Sequence, residues 1–140
     1  MAQRGPKPGD GSKSTPLPGI PVAPQYLDPE AAEHWGQITA AISEAGLLSL
    51  LDRDALIIYI SAWSRWHRAE AELAKTGENQ GVIIAARNGY LQPNPWYKIS
   101  KDCVRTITTY LDMFGLSPRA RDRLTFPEPE EANTKWDEFD

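Results

Sequence analysis

Two runs of cations are the residues whose type and spacing could do chemistry: Lys98, Lys101 and Arg105, then Arg119, Arg121 and Arg123. The first run recurs at steps of three and four. On a helix that spacing sets charges about one turn apart on one side, where they could follow a phosphate backbone. It equally describes an ordinary solvated helix face. The second run is dense but alternates, so its arginines do not share one narrow face. They would either bind phosphate or pair with acids of a neighbouring chain.

Catalysis finds less support. His34 and His67 are single, fall in different helical segments and lack HExxH or Cys/His ligand spacing, so they read as structural or surface histidines. Asp52 and Asp54 pass for paired carboxylates, but both sit at a helix start, where capping explains them. Cys103 falls on an apolar stripe and reads as a core residue. No Walker A loop or GxGxxG occurs. The expectation is a protein without catalytic centre, metal or cofactor.

Composition narrows the remaining classes. The chain of 140 residues has room for one ordinary domain, and a hydrophobic fraction of 41% permits a core. Its net charge of -4 gives no general reason to expect nucleic-acid binding, so any basic surface must be local. A lone Cys103 forms no internal disulfide and needs no oxidising compartment. The longest apolar run, Ala55 to Trp63, is far short of the roughly 20 residues a spanning helix needs. The N-terminus lacks the apolar stretch of a signal peptide. A reducing, aqueous compartment is expected, with no membrane partner.

The elements that must position the cations can be read from their ends. Residues 1–27, rich in Pro, Gly and Ser, are expected to form a flexible arm, extended over "GIPVAPQYL". Asp28, Pro29 and Glu30 then start a helix in which Ala31, Trp35, Ile38, Ile42 and Ala45 recur at steps of three and four, with Gly46 as stop. After "LLSLLD", Asp52 is expected to cap a second helix to about Lys75, ended by Gly77. Leu56, Ile60, Trp63 and Leu73 would form its main buried stripe, broadened by Ile57, Tyr59 and Trp66. Asn88-Gly89, flanked by "VIIA" and "YLQ", predicts a tight hairpin that leans on a helix or a neighbouring subunit. Asn94 and Pro95 launch a third helix to Phe114, with Ile99, Cys103, Ile107, Tyr110 and Phe114 as its apolar stripe. Ser117 and Pro118 begin a short Arg-rich helix.

The expected fold is therefore mainly α: an antiparallel core of three long helices, a small β-hairpin between the second and third, a short C-terminal helix and disordered ends. Residues 28–126 would form the helical domain that oligomerises and engages DNA. Trp35, Trp63 and Trp66 are more than one thin helical layer can bury, which favours a subunit interface. Residues 127–140 form an acidic tail, with Glu128, Glu130, Glu131, Asp137, Glu138 and Asp140 against one base, Lys135. Trp136 and Phe139, with Glu130 and Glu131, would dock on a partner; the plainer reading is a solubilising end.

The ordered set "GIPVAPQYLDPEAAEHW", "YISAWSRWHRAEAELAKTG", "NGYLQPNPWYKIS" and "FGLSPRARDRL" resembles phage terminase small subunits, in particular a siphophage and prophage branch ending in Gly-Leu-Thr/Ser-Pro and Arg. The resemblance runs from about Gly19 to Leu124. Its matching positions are Trp35, Trp63, Asn88, Gly89, Pro95, Gly115, Leu116, Pro118 and Arg121, most of them architectural. It implies a non-enzymatic packaging factor that forms a homo-oligomeric ring, engages double-stranded viral DNA and delivers it to the large terminase subunit, which carries ATPase and nuclease. That places the protein in the host bacterial cytoplasm and outside the mature virion. The competing classes are a helix-turn-helix transcriptional regulator of phage origin, which needs a basic recognition helix, and a purely structural interaction protein.

Overall fold

Asp28 opens the first helix as its sequence predicts. Its Oδ1 accepts the Ala31 N–H at 2.7 Å, Pro29 occupies the first helical position, and α1 runs Pro29–Glu44. In a computed structural model of the chain, residues 18–75 and 81–123 are described. They form α1, a 3-10 turn at Leu50–Asp52, α2 (Arg53–Lys75), β1 (Ile83–Ala85), β2 (Leu91–Pro93), α3 (Pro95–Met113) and α4 (Pro118–Arg121). The expectations for residues 1–17, for Gly77 and for the tail with Glu130, Glu131, Trp136 and Phe139 lie outside the described residues.

Helix α1 buries Ala31, Trp35, Thr39 and Ile42, one per turn. Thr39 donates its hydroxyl to the Trp35 carbonyl at 2.7 Å, so a polar side chain enters the core without an unpaired group. The connector departs from expectation in one detail. Asp52 does not itself cap α2; Ser49 caps the 3-10 turn, and the Asp52 carboxylate reaches back to the Ser49 N–H at 2.8 Å. A capping box satisfies two orphan donors where a single cap satisfies one.

Helix α2 is the central element. Leu56, Ile60 and Ala69 are fully buried, with Tyr59, Ala62 and Leu73 nearly so. Trp63, expected in the main stripe, is only half-buried, as are Ile57 and Trp66. Helix α1 lies antiparallel to α2: Asp28 meets Ser64, Glu30 meets His67, and His34 meets Tyr59. Helix α3 is antiparallel on another side, where Ser100 donates to Glu70 and Thr106 lines one groove with Ile57. Phe114, at the end of α3, closes the cluster of Trp35, Ile42, Leu56 and Ile60.

The hairpin forms where expected, with its strands paired antiparallel as Ile83↔Pro93, Ile84↔Gln92 and Ala85↔Leu91. Its turn is longer than a two-residue Asn88-Gly89 loop. Gly89 N–H donates to the Ala86 carbonyl at 2.8 Å and Ala86 N–H to the Tyr90 carbonyl at 2.7 Å. Gly89, at φ 83°, therefore closes a three-residue loop, the geometry of a turn followed by a bulge. Buried Asn94 ties this hairpin to α3: its amide donates to the Gly81 carbonyl at 2.8 Å while its Oδ1 accepts from Trp96 N–H at 3.0 Å.

The stripe on α3 also shifts. Cys103 and Phe114 are buried and Ile107 and Tyr110 half-buried, but Ile99 remains 38% exposed and Ser100 is buried in its place. Ser100 points at Glu70, so the helix rotates its first turns toward a hydrogen bond and leaves Ile99 on the rim. Gly115, at φ 71°, ends α3 as expected, letting Leu116 N–H reach the Leu111 carbonyl and its side chain pack against the core. Within the expected arm, Pro21 and Pro24 are buried and Arg53 donates to the Val22 carbonyl, so residues 18–27 lie against the start of α2. Among the described residues, no helix is long and apolar enough to cross a membrane.

Candidate functional site

Helix α3 presents Lys98, Lys101 and Arg105 to solvent, as their spacing predicts. Arg105 lies 3.9 Å from the Asp102 carboxylate on its own helix, a long and fully wet ion pair. Lys101 holds its ammonium 5.6 Å from the centroid of Tyr97, one turn earlier. The antiparallel packing adds two cations that spacing alone does not single out. Arg65 and Arg68, a turn apart on α2, both reach solvent, and the Arg68 guanidinium sits 5.7 Å from the Trp96 ring at the start of α3. The pair was visible in "SRWHR", but nothing in the sequence said that it faces the first turns of a helix some thirty residues away.

Arg65, Arg68, Lys98 and Lys101 form no ion pair with a carboxylate among the described residues. A groove of about 470 Å³ runs between the helices, where Ile57, Ala62, Cys103 and Thr106 lie with Arg65 and the Asp102 carboxylate. Burial pushes the Cys103 thiol up, an effect the nearby Arg65 only partly offsets, so the thiolate is scarce. Cys103 is a core residue here, as its place on the stripe predicts.

The second cluster divides. Arg119, Arg121 and Arg123 are all exposed, but Arg119 and Arg123 line a cavity at the turn between α3 and α4 while Arg121 does not. Four residues separate the first two, which sets them on one side of the short helix and its exit.

The α1–α2 seam gathers the two histidines that the sequence left apart. Trp63 is stacked between them, its centroid 4.1 Å from that of His34 and 5.1 Å from that of His67. The stacking of Trp63 is thus taken up within the seam by two imidazole rings, although the indole stays half-buried. His67 Nδ1 lies 2.9 Å from the Glu30 carboxylate, and His34 Nε2 is hydrogen-bonded to the Tyr59 hydroxyl at 3.0 Å. Burial holds His34 below its ordinary value. The Ala31 N–H, and then the Ser64 hydroxyl, hold the Asp28 carboxyl below its own. The Trp63–His67 spacing was legible in sequence; the arrival of His34 was not. Among the described residues no group of three or more His, Cys, Asp or Glu could hold a metal.

Charge is thus segregated. Helix α1 and its cap carry Asp28, Glu30, Glu33 and Glu44 with no Lys or Arg, while the cations gather along α2 and α3. Exposed guanidinium and ammonium groups on helices, without an ion pair among the described residues, suit an extended polyanion. No curated protein and no solved structure matches the chain. A family model described as phage terminase, small subunit, does match, over residues 31–131. That span takes in the helical body from the first turn of α1 through α4, well over half of the chain and all of its basic edge, so the protein belongs to the phage terminase small-subunit family.

Proposed function

We propose that this protein is a non-catalytic adaptor of phage DNA packaging. It assembles with copies of itself into a closed ring, holds double-stranded viral DNA through phosphates, and delivers it to the large terminase subunit in the host cytoplasm. Family membership supports the packaging role. The observation that carries the DNA contact is the set of exposed cations on α2 and α3, Arg65, Arg68, Lys98 and Lys101, which form no ion pair among the described residues, with Arg105 held 3.9 Å from Asp102. Arg119, Arg121 and Arg123 are the second locus. Assembly is supported by the apolar side chains left in water, among them Leu51 at 78% exposure with Leu50, Ile58, Tyr90 and Leu91. In this reading Trp136 and Phe139, flanked by Glu130 and Glu131, engage the large subunit.

A helix-turn-helix regulator is not favoured. It needs a second helix free to enter a groove, whereas α2 is the core of the bundle, packed by α1 and α3. The test is a salt series on two unrelated duplexes. Replacing Arg65, Arg68, Lys98 and Lys101 by Gln is expected to weaken both duplexes alike. It should also flatten the log–log salt slope by about 0.9 for each phosphate no longer neutralised. Binding that survives removal of this edge and of the three α4 arginines would overturn the assignment of the DNA contact to the helical body.

A further inference from the structure

The two edges of the hairpin between α2 and α3 are not equivalent. In an antiparallel ladder, hydrogen-bonded residue pairs alternate with pairs whose backbone groups point outward. Asn94 N–H donates to the Val82 carbonyl at 2.8 Å, and Ala86 N–H to the Tyr90 carbonyl at 2.7 Å. Between them, in the observed register, the outward pairs are Ile83–Pro93 and Ala85–Leu91. The outer edge of β2 therefore offers the Leu91 N–H but none at Pro93, which has no donor. The outer edge of β1 offers an N–H and a carbonyl at both Ile83 and Ala85. Among the described residues no third strand pairs with either edge.

Side chains sharpen this asymmetry. Residues opposite one another share a face, so Ile83, Ala85, Leu91 and Pro93 lie on one side of the hairpin. All are apolar and exposed, Leu91 to 76% and Ile83 to 49%. The other side carries Gln92 and the half-buried Ile84. Neither strand holds a charged residue. Proteins blunt open strand edges with lysine, proline or a bulge. Pro93 blunts β2, and nothing of that kind lies within β1. A two-stranded ribbon is also marginal by itself, and further strands support it.

The symmetry of the open edge selects its occupant. Ile83 and Ala85 flank Ile84 by one residue on each side. Turned about a two-fold axis at Ile84, the edge is its own complement. Ile83 of each copy meets Ala85 of the other, and each such pair exchanges both of its N–H···O bonds. Four backbone hydrogen bonds result, and the two apolar faces join into one. We propose that β1 pairs antiparallel with β1 of a second copy about this axis, giving a four-stranded sheet in the order β2–β1–β1–β2. A two-fold contact closes on itself and cannot run around a ring. It joins copies in pairs, is additional to the ring contact of the adaptor reading, and needs no DNA.

The test is thiol crosslinking of the full chain with a short bismaleimide. Across the proposed axis the two Ala85 positions lie about 9 Å apart, and the two Leu91 positions, on the outer strands, about 16 Å apart. Ala85→Cys is expected to give a covalent dimer at micromolar concentration, and Leu91→Cys far less. The native chain, whose Cys103 is buried, is the blank. Adding Ile83→Pro removes two of the four bonds without touching the hairpin's own ladder, and should lower the Ala85→Cys yield about tenfold. Ile83→Lys keeps every backbone donor and should lower the yield likewise, by placing a charge beside the axis in each copy. Equal crosslinking at positions 85 and 91, or a yield that neither change at Ile83 lowers, overturns the proposal. So does the absence of a dimer from Ala85→Cys, which would leave the edge to a strand of a different protein. Ring formation is read separately, from the mass of the uncrosslinked protein, so the two readings fail independently.

Discussion

Helix α2 is held on two sides by different chemistry. Against α1 it places Tyr59, Trp63, Ser64 and His67, which meet His34, Glu30 and Asp28 through ring stacking and hydrogen bonds. Against α3 it places Ala62, which shares a groove with Cys103, and Glu70, which accepts from Ser100. The first seam ties up its own polar groups, leaving an acidic helix whose nearest titratable partners are already engaged. The second seam holds carboxylates too, Glu70 at Ser100 and Asp102 in the groove beside Arg65. Among the described residues the exposed Arg65, Arg68, Lys98 and Lys101 nonetheless form no ion pair. The difference explains why the candidate phosphate site lies along α2 and α3 and not at the aromatic cluster, although tryptophan and histidine there would suggest a base-binding surface.

Ile60→Ala should loosen α1 and α3 from α2 together, because Ile60 is fully buried in the cluster that α1, α2 and Phe114 at the end of α3 share. A loss of about 2–5 kcal/mol in urea unfolding is expected from the deleted methyl groups and the cavity they leave. A much smaller loss would show that the helices do not share one core.

Ala69→Leu compares the buried and exposed sides of the bundle. Ala69 is fully buried on α2, and extra methylenes at such a position cost about 1–3 kcal/mol through forced rotamers and helix displacement. The same change at exposed Ala32 on α1 should stay within about 0.5 kcal/mol. If Ala69→Leu proves as neutral as Ala32→Leu, Ala69 does not lie in a packed interior.

The smallest effect should appear in the pH dependence of the α1 seam. Burial holds His34 below 6.5 in the folded protein, so between that lowered value and 6.5 the unfolded chain binds the extra proton. The stability His34 contributes is fully present above 6.5 and declines as pH falls through this window. Urea midpoints measured at about pH 8 and about pH 5.5 should differ less in a His34→Gln variant than in the native chain. An identical pH difference in both would remove His34 from the titrating groups of the seam.

Several local features were legible because they depend on neighbours in the chain. Asp28, Asn94 and Ser117 cap their helices, each followed by a proline at the first helical position, and Gly115 ends α3. Each is settled within four residues, which is the range over which a side chain reaches backbone donors at a helix end. The exposed placement of Lys98, Lys101 and Arg105 followed from periodicity alone. What failed did so at contacts between elements. Ile99 fits the apolar period of α3, but the Ser100–Glu70 hydrogen bond turned the helix away from it. Asp52 sits where a cap belongs, yet Ser49 took that role because the connector tightened into a 3-10 turn.

Local sequence set the starts of α1, α3 and α4, the stops of α1 and α3, the hairpin between α2 and α3, and the residues that repeat at helical spacing, since these are short-range consequences of backbone hydrogen bonding and side-chain shape. Packing between elements brought Arg68 to Trp96 at the start of α3, stacked Trp63 with both His34 and His67, and parted Arg119 from Arg121 over a cavity. Those outcomes depend on the rotation and register of one helix against another. Burial of the whole apolar surface sets both, and no local spacing encodes them.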